Sequence, residues 1–150
     1  MAERILVPID LYHESSWRKA LPTAVDQARN GGGMLYVMTV VPDIFAGVDW
    51  RYAIRGSREG SEEYNLEALV QDALEKLQQL VRDHIPKGLQ VECIARHGTI
   101  YREILDVAEE IRADLIIMAS HRPSLSDYLI GPNTARVVRH ARCSVTVLRD

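Results

Sequence analysis

Five short apolar runs alternate with helical patterns along the 150 residues, and this alternation constrains the fold more than any other feature. The runs lie at residues 4–9, 34–41, 89–95, 115–120 and 143–149. The first, second and fourth are nearly continuous, as is typical of strands covered on both faces, whereas the third and fifth alternate like strands nearer an edge. Strict alternation of strands with crossover helices predicts an α/β fold, with an open five-stranded parallel sheet and helices on both faces.

Apolar residues between the runs recur at the spacing of helices with one buried face. For the first helix these are Trp17, Ala20, Leu21, Ala24, Val25 and Ala28; for the second they are Leu66, Leu69, Val70, Ala73, Leu74, Leu77, Leu80 and Val81. The third helix is predicted to start at the N-cap Thr99, and the last near Gly131, carrying Val137 and Val138. Asn-Gly-Gly-Gly at residues 30–33 predicts a C-cap and a turn.

Composition excludes several classes of protein. A formal charge of −3 and a pI near 6.0 give no reason to expect a nucleic-acid binder. No apolar stretch is long enough to span a bilayer, and the N-terminus meets an acid and a proline too early for a signal peptide. Cys93 and Cys143 lie in apolar runs, which favours buried thiols over a disulfide and suits a reducing compartment. We therefore expect one cytoplasmic domain over residues 1–150, without membrane or nucleic-acid partners.

Asp10 follows the first apolar run directly. Ligands of open parallel sheets bind beyond the carboxyl ends of the strands, where the strand order reverses. An acid at such a strand end can accept a hydrogen bond from a ribose hydroxyl. The alternative is a turn former or an N-terminal acid of the following helix. A metal site would need more converging acids than this one.

The last helix opens with Gly131-Pro132-Asn133-Thr134. Proline at the first helical position loses nothing, because its missing N–H would be unpaired there in any case. The N–H groups of Asn133 and Thr134 point out of the helix start, where the helix dipole favours an anion. Glycine lets a bulky group approach the backbone. The sequence therefore predicts a phosphate site here, with simple helix capping as the alternative.

The last helix is preceded by a polar loop, which is longer than the two to six residues typical of a connection between a strand and a helix. His121 and Arg122 in this loop can supply positive charge to a phosphate, and the alternative is solvated surface charge. The remaining histidines are scattered and build no Ser/His/Asp or Cys/His set: His13, His84, His97 and His140. The sequence shows no general base, metal pair or Walker-type lysine, so we predict no catalytic residue and at most slow turnover.

Several stretches together resemble the universal stress protein family over essentially the full length. They are Ile-Leu-Val-Pro-Ile-Asp ending at Asp10, Thr-Val-Val-Pro-Asp at 39–43, Ala-Asp-Leu-Ile-Ile-Met-Ala-Ser-His at 113–121, Gly131, and Val-Val-Arg-His-Ala-Arg-Cys-Ser-Val-Thr-Val-Leu-Arg at 137–149. The resemblance implies the strand order 3-2-1-4-5, a dimer and, in one branch of the family, ATP binding, here with or without Mg²⁺.

The family's ATP-binding motif is Gly-x2-Gly-x9-Gly-Ser/Thr after the fourth strand. In this chain Ala119 and Arg122 stand at the first two glycine positions, the spacer is one residue shorter, and Pro132 follows Gly131. The charge of Arg122 is expected to compensate for the lost Ser/Thr donor. These departures leave two interpretations open. The site binds a nucleotide but contacts its phosphates differently from the family motif, or it no longer binds a nucleotide.

The resemblance also implies roles for individual residues. Asp10 matches the ribose and adenine contact, Val40 matches the position whose backbone reads adenine, and Pro8 and Ile9 line the same pocket. The loop beside the ribose and phosphates is matched by Ala119, Ser120, His121 and Arg122. The phosphate-binding helix start is matched by Gly131, Pro132 and Asn133, and the N–H of Thr134 follows them.

These observations predict an ATP-binding stress-response module that acts as a homodimer. The last run carries no proline or charge before Arg149, so two copies can pair through this sheet edge across a two-fold axis. A nucleotide-independent dimeric interaction module of the same fold is the alternative, and a slow ATP hydrolase is less favoured. We expect residues 43–61 to be mobile, or ordered only against the site or the partner subunit.

Overall fold

The computed structural model describes residues 2–42, 62–120 and 131–149, with side chains from residue 66 onward in the second range. The elements are β1 (Arg4–Pro8), α1 (Ala20–Gly31), β2 (Met34–Pro42), α2 (Glu62–His84), β3 (Val91–Gly98), α3 (Ile100–Glu110), β4 (Leu115–Ala119), α4 (Pro132–His140) and β5 (Ser144–Leu148). A 3-10 turn, Glu14–Ser16, lies between β1 and α1. His121, Arg122 and the segment 43–61 lie outside the described residues.

The five strands form one parallel sheet in the order β3-β2-β1-β4-β5. β1 is central, and it pairs with β2 on one side and β4 on the other. The chain builds outward from β1 to β3 and then returns to add β4 and β5 on the opposite side. The order therefore reverses between β1 and β4, as predicted, and a crevice opens at their carboxyl ends.

Alternate residues of each strand point to opposite faces of the sheet, so the described residues form two apolar cores. One core lies under α1 and α2 and contains Val7, Leu35 and Leu77; the other lies under α3 and α4 and contains Leu6, Met38, Val107 and Val137. Cys93 packs against the first core and Cys143 against the second. Both are free thiols, as predicted, although they are half-buried and not fully buried.

The structure differs from the predictions in two element boundaries by more than one residue and in the burial of one side chain. β3 begins and ends later than the predicted strand at 89–95. Helix α1 begins at Ala20, because Trp17 closes the preceding 3-10 turn, although its ring still packs against the first core. Leu69 was predicted to face the core, yet it is 38% exposed near the beginning of α2. No described helix has the length and apolarity needed to cross a membrane.

Gly32 ends α1 in the left-handed conformation that the glycine run predicts. Its φ of 69° suits glycine, and its N–H donates to the carbonyl of Ala28. Gly32→Ala should therefore lower the free energy of unfolding by about 1–2 kcal/mol. Gly31→Ala is the matched control, because Gly31 is helical and a Cβ there would have its nearest neighbour at 4.0 Å. Urea unfolding of both variants decides it, and equal stability of the two would contradict the assignment.

Candidate functional site

A cavity of about 450 Å³ opens at the carboxyl ends of β1, β2 and β4, where the strand order reverses. This volume lies in the range of small-molecule sites. Its lining is largely apolar and comes from the strands and from helices on both sides of the sheet. The apolar members include Ile9, Leu11, Met38, Val40, Val41, Leu69, Ala73, Ile100, Ile104 and Met118. The structure thus provides an apolar slot open to solvent at its mouth.

The structure brings most of the predicted site residues together around this cavity. Those that line it are Pro8, Ile9, Asp10, Val40, Ala119, Asn133 and Thr134. Ser120, Gly131 and Pro132 do not line it, although Ser120 follows the lining residue Ala119 and the pair Gly131-Pro132 precedes the lining residue Asn133. The N–H of Ser120 instead donates to the carbonyl of Leu148 and continues the β4–β5 pairing.

Sequence reasoning missed several lining residues. Those at or near strand ends are Leu11, Tyr12, His13, Ser16, Met38, Thr39, Val41, Pro42 and Met118; those from helices are Leu69, Asp72, Ala73, Ile100 and Ile104. The first group could have been inferred, because the carboxyl ends of neighbouring parallel strands meet at one edge. The second group depends on where α2 and α3 pack, which periodicity alone does not determine.

The carboxylate of Asp10 is held at both oxygens by its own loop. Oδ1 accepts a hydrogen bond from the N–H of Tyr12 at 3.0 Å, and Oδ2 lies 2.8 Å from Nδ1 of His13. Asp10 therefore forms the turn that the sequence offered as an alternative. Each carboxylate oxygen can accept more than one hydrogen bond, and the side chain is 41% exposed. The turn-forming role and a ligand contact are compatible.

Ser16 fixes the backbone of this loop. Its buried Oγ accepts from the N–H of Asp10 at 2.8 Å. The same hydroxyl lies 2.9 Å from the carbonyl oxygen of Asp10 and 2.8 Å from that of His13. The hydroxyl has one hydrogen to share between these two carbonyls. The loop after β1 is consequently pre-organised before any ligand binds.

Helix α2 contributes charge to the mouth of the cavity. Asp72 lines the cavity and pairs with Lys76, with 3.1 Å between Oδ2 and Nζ. Nζ also lies 5.5 Å from the ring centre of Tyr12, an exposed aromatic side chain that lines the same mouth. Hydrogen bonding to Asp72 and to the hydroxyl of Tyr12 raises the pKa of Lys76. These contacts link α2 to the loop after β1.

The start of α4 has the geometry expected of an anion site. Gly131 is the N-cap, Pro132 is the first helical residue, and the N–H of Ala135 donates to the carbonyl of Gly131 at 2.8 Å. The N–H groups of Asn133 and Thr134 precede that bond, so they have no partner within the helix. The buried hydroxyl of Thr134 donates to the carbonyl of Ala119 at 3.3 Å and ties α4 to β4. Within the described ranges, no group of three or more His, Cys, Asp or Glu side chains could hold a metal ion.

Comparisons with known proteins identify the family. The universal stress protein family model matches residues 1–149. Universal stress protein G from Shigella flexneri is 30% identical over 149 residues, which cover 99% of this chain and 100% of the relative.

Solved structures agree with the fold. Protein MJ0577 from Methanocaldococcus jannaschii superposes with a TM-score of 0.69 at 20% identity, covering 100% of this chain and 97% of that one. A universal stress protein in complex with cAMP gives a TM-score of 0.61 at 19% identity, covering 99% and 97%. At these sequence identities the superpositions show only that the fold is shared. Membership of the family is shown by the sequence matches. The chain belongs to the universal stress protein family.

Proposed function

We propose that this family member binds an adenine nucleotide, ATP in the first instance, and acts in stress response as a homodimer. The observation that carries the proposal is the apolar cavity at the strand-order reversal, which lies between the Asp10 carboxylate and the N-terminus of α4. An apolar slot suits a purine ring, a carboxylate suits ribose hydroxyls, and a helix start suits phosphate. All three features line one cavity of suitable size.

The adenine ring is expected to meet the backbone of Val40. The β1–β2 pairing ends with Pro8 opposite Met38, and the N–H of Ile9 donates to the carbonyl of Met38 at 2.8 Å. Strand β2 continues to Pro42 along β3, whereas β1 has turned away into its loop. Residues two apart on a strand direct their N–H and C=O to the same side, so Val40 directs both toward the position that β1 has left.

The ribose and phosphates would then extend toward Asp10 and α4. The carboxylate of Asp10 has acceptor capacity left for ribose hydroxyls. The N–H groups of Asn133 and Thr134 and the dipole of α4 are available to a phosphate. His121 and Arg122, which lie outside the described residues, are proposed from the family resemblance to add positive charge. Mg²⁺, where present, would be held largely by the phosphates.

Calorimetric titration with ATP, adenosine and GTP tests the proposal. A backbone N–H and C=O pair complements the N1 acceptor and the N6 donor of adenine, whereas guanine presents the reverse pattern. GTP should therefore bind at least about tenfold more weakly than ATP, which corresponds to about 1.4 kcal/mol. Equal affinity for ATP and GTP would contradict recognition of the base by the backbone N–H and C=O of Val40. Failure of ATP and adenosine to bind would contradict the proposed function.

The dimer is proposed to form through β5. This strand is one edge of the sheet, and Ser144–Leu148 contains neither proline nor charge to block pairing with a second copy. The other edge, β3, carries Glu92 and Arg96, and Arg96 forms an ion pair with Glu110 of α3. Charged edge strands resist such pairing. Light scattering at micromolar concentration should give the mass of a dimer, and the mass of a monomer would contradict the proposal.

Thr134→Val removes the hydroxyl of Thr134 and keeps its backbone N–H, so the contributions of the two groups can be measured separately. The hydroxyl contacts the carbonyl of Ala119, so its loss should lower the free energy of unfolding by about 0.5–1.5 kcal/mol. The N–H remains, so the affinity for ATP should stay within roughly twofold of wild type. Urea unfolding and calorimetry measure the two effects. A tenfold or larger loss of ATP affinity would show that the hydroxyl contacts phosphate instead.

The alternative of a nucleotide-independent dimer has one observation in its favour. Two carboxylates, Asp10 and Asp72, line the cavity, and negative charge opposes phosphate. Asp72 is neutralised in part by Lys76, with which it forms an ion pair. Adenosine, which carries no phosphate, distinguishes the two functions, because only the nucleotide-binding module should bind it.

A further inference from the structure

We propose that His13 is a positioning residue that orients the Asp10 carboxylate toward a vicinal diol, so that the site selects ribonucleotides over 2′-deoxyribonucleotides. The inference rests on the proposed function, because it takes Asp10 as the ribose contact. To the proposed ribose contact it adds His13, which belongs to none of the sequence motifs described above. It also predicts that the site distinguishes ribonucleotides from 2′-deoxyribonucleotides.

The contact between His13 and Asp10 fixes the orientation of the carboxylate. Nδ1 of His13 lies 2.8 Å from Oδ2 of Asp10. An ionised carboxylate offers only acceptors, so Nδ1 must carry the hydrogen in this contact. The other oxygen, Oδ1, accepts from the N–H of Tyr12. With one donor on each oxygen, rotation of the carboxylate about its last bond is restrained.

The backbone places the imidazole for this contact. The N–H of His13 donates to the carbonyl of Asp10 at 3.1 Å, and the carbonyl of His13 lies 2.8 Å from Oγ of Ser16. The His13 and Asp10 side chains are 61% and 41% exposed, and such exposed pairs contribute little to folding stability. The contact is therefore better suited to orienting Asp10 than to stabilising the fold.

An oriented carboxylate can recognise a diol with both oxygens. The donors from His13 and Tyr12 lie within the loop, and the capacity that remains on each oxygen can serve a ligand in the cavity. The 2′ and 3′ hydroxyls of a ribose can each donate one hydrogen bond, one to each oxygen. A 2′-deoxyribose donates only one. Loss of a hydrogen bond to a charged acceptor weakens binding by about tenfold or more.

The test compares ATP with 2′-deoxy-ATP by calorimetric titration of wild type, His13→Ala and His13→Asn. Wild type should prefer ATP by about tenfold or more, and His13→Ala should reduce that preference to roughly twofold to threefold. His13→Asn should restore it, because Nδ2 of asparagine occupies nearly the position of Nδ1. Glu14→Ala is the control: Glu14 is exposed, does not line the cavity, and should keep the wild-type preference.

Each result separates the inference from the proposed function. Equal binding of ATP and 2′-deoxy-ATP by wild type would overturn the inference and leave nucleotide binding intact. An unchanged preference in His13→Ala would overturn it as well, because Asp10 would then need no help from His13. If wild type bound neither ATP nor adenosine, the proposed function would be wrong and the inference would fall with it.

Discussion

Asp10→Ala is expected to weaken the binding of both ATP and adenosine by about tenfold to a hundredfold. The substitution removes hydrogen bonds to a charged acceptor, which contribute about 1.5–3 kcal/mol. Both ligands should be affected alike, because both carry the ribose and only ATP carries phosphates. Calorimetric titration of the two ligands measures the loss, and the unfolding curve of the variant shows how far the loop is disturbed.

Two further variants control this experiment. Asp10→Asn retains one acceptor oxygen and the ability to form the turn, so its affinity should lie between those of wild type and Asp10→Ala. Asp72→Asn neutralises the other carboxylate among the described residues that line the cavity, and it should leave adenosine binding nearly unchanged. Equal losses of adenosine affinity in Asp10→Ala and Asp72→Asn would show that Asp10 has no specific role at the ribose.

Leu77→Ala is expected to lower the free energy of unfolding by about 2–5 kcal/mol. Leu77 is fully buried in the core beneath α1 and α2, so its truncation leaves a cavity that the sheet cannot close. Leu69 lies on the same helix and is 38% exposed. Leu69→Ala should therefore lower the free energy of unfolding by no more than about 1 kcal/mol. Urea unfolding of both variants gives the comparison, and similar losses would contradict the orientation of α2.

Local pattern predicted the elements of the fold, but the order of the strands required the family resemblance. The apolar runs locate each strand, because a strand buried on both faces must be apolar throughout. Periodicity does not state which strand lies beside which. Leu69 shows a second limit of prediction from periodicity. Its spacing matches the buried stripe of α2, although the residue lies at the cavity mouth. A helical stripe that continues from the core into a ligand cavity has the same period in both places.

The site was predicted best where position along a strand determines it. Asp10 follows from the rule that ligands bind at the carboxyl ends of strands, whereas Val40 was predicted from the family resemblance. His13 was set aside, because no motif contains it and its contact with Asp10 arises only when the loop closes on Ser16. Asp72 reaches the cavity from a helix distant in sequence, so its place depends on helix packing. Side chains brought together by tertiary packing leave no local signal.

Native mass spectrometry of the purified protein with added ATP tests nucleotide binding and dimer formation together, because one spectrum reports nucleotide occupancy and subunit number. We expect a dimer with one adenine nucleotide bound to each subunit, and displacement of that nucleotide by excess adenosine. A dimer that takes up neither ATP nor adenosine would contradict nucleotide binding and favour the nucleotide-independent interaction module. A monomer that binds ATP would contradict the dimer through β5 and leave the site intact.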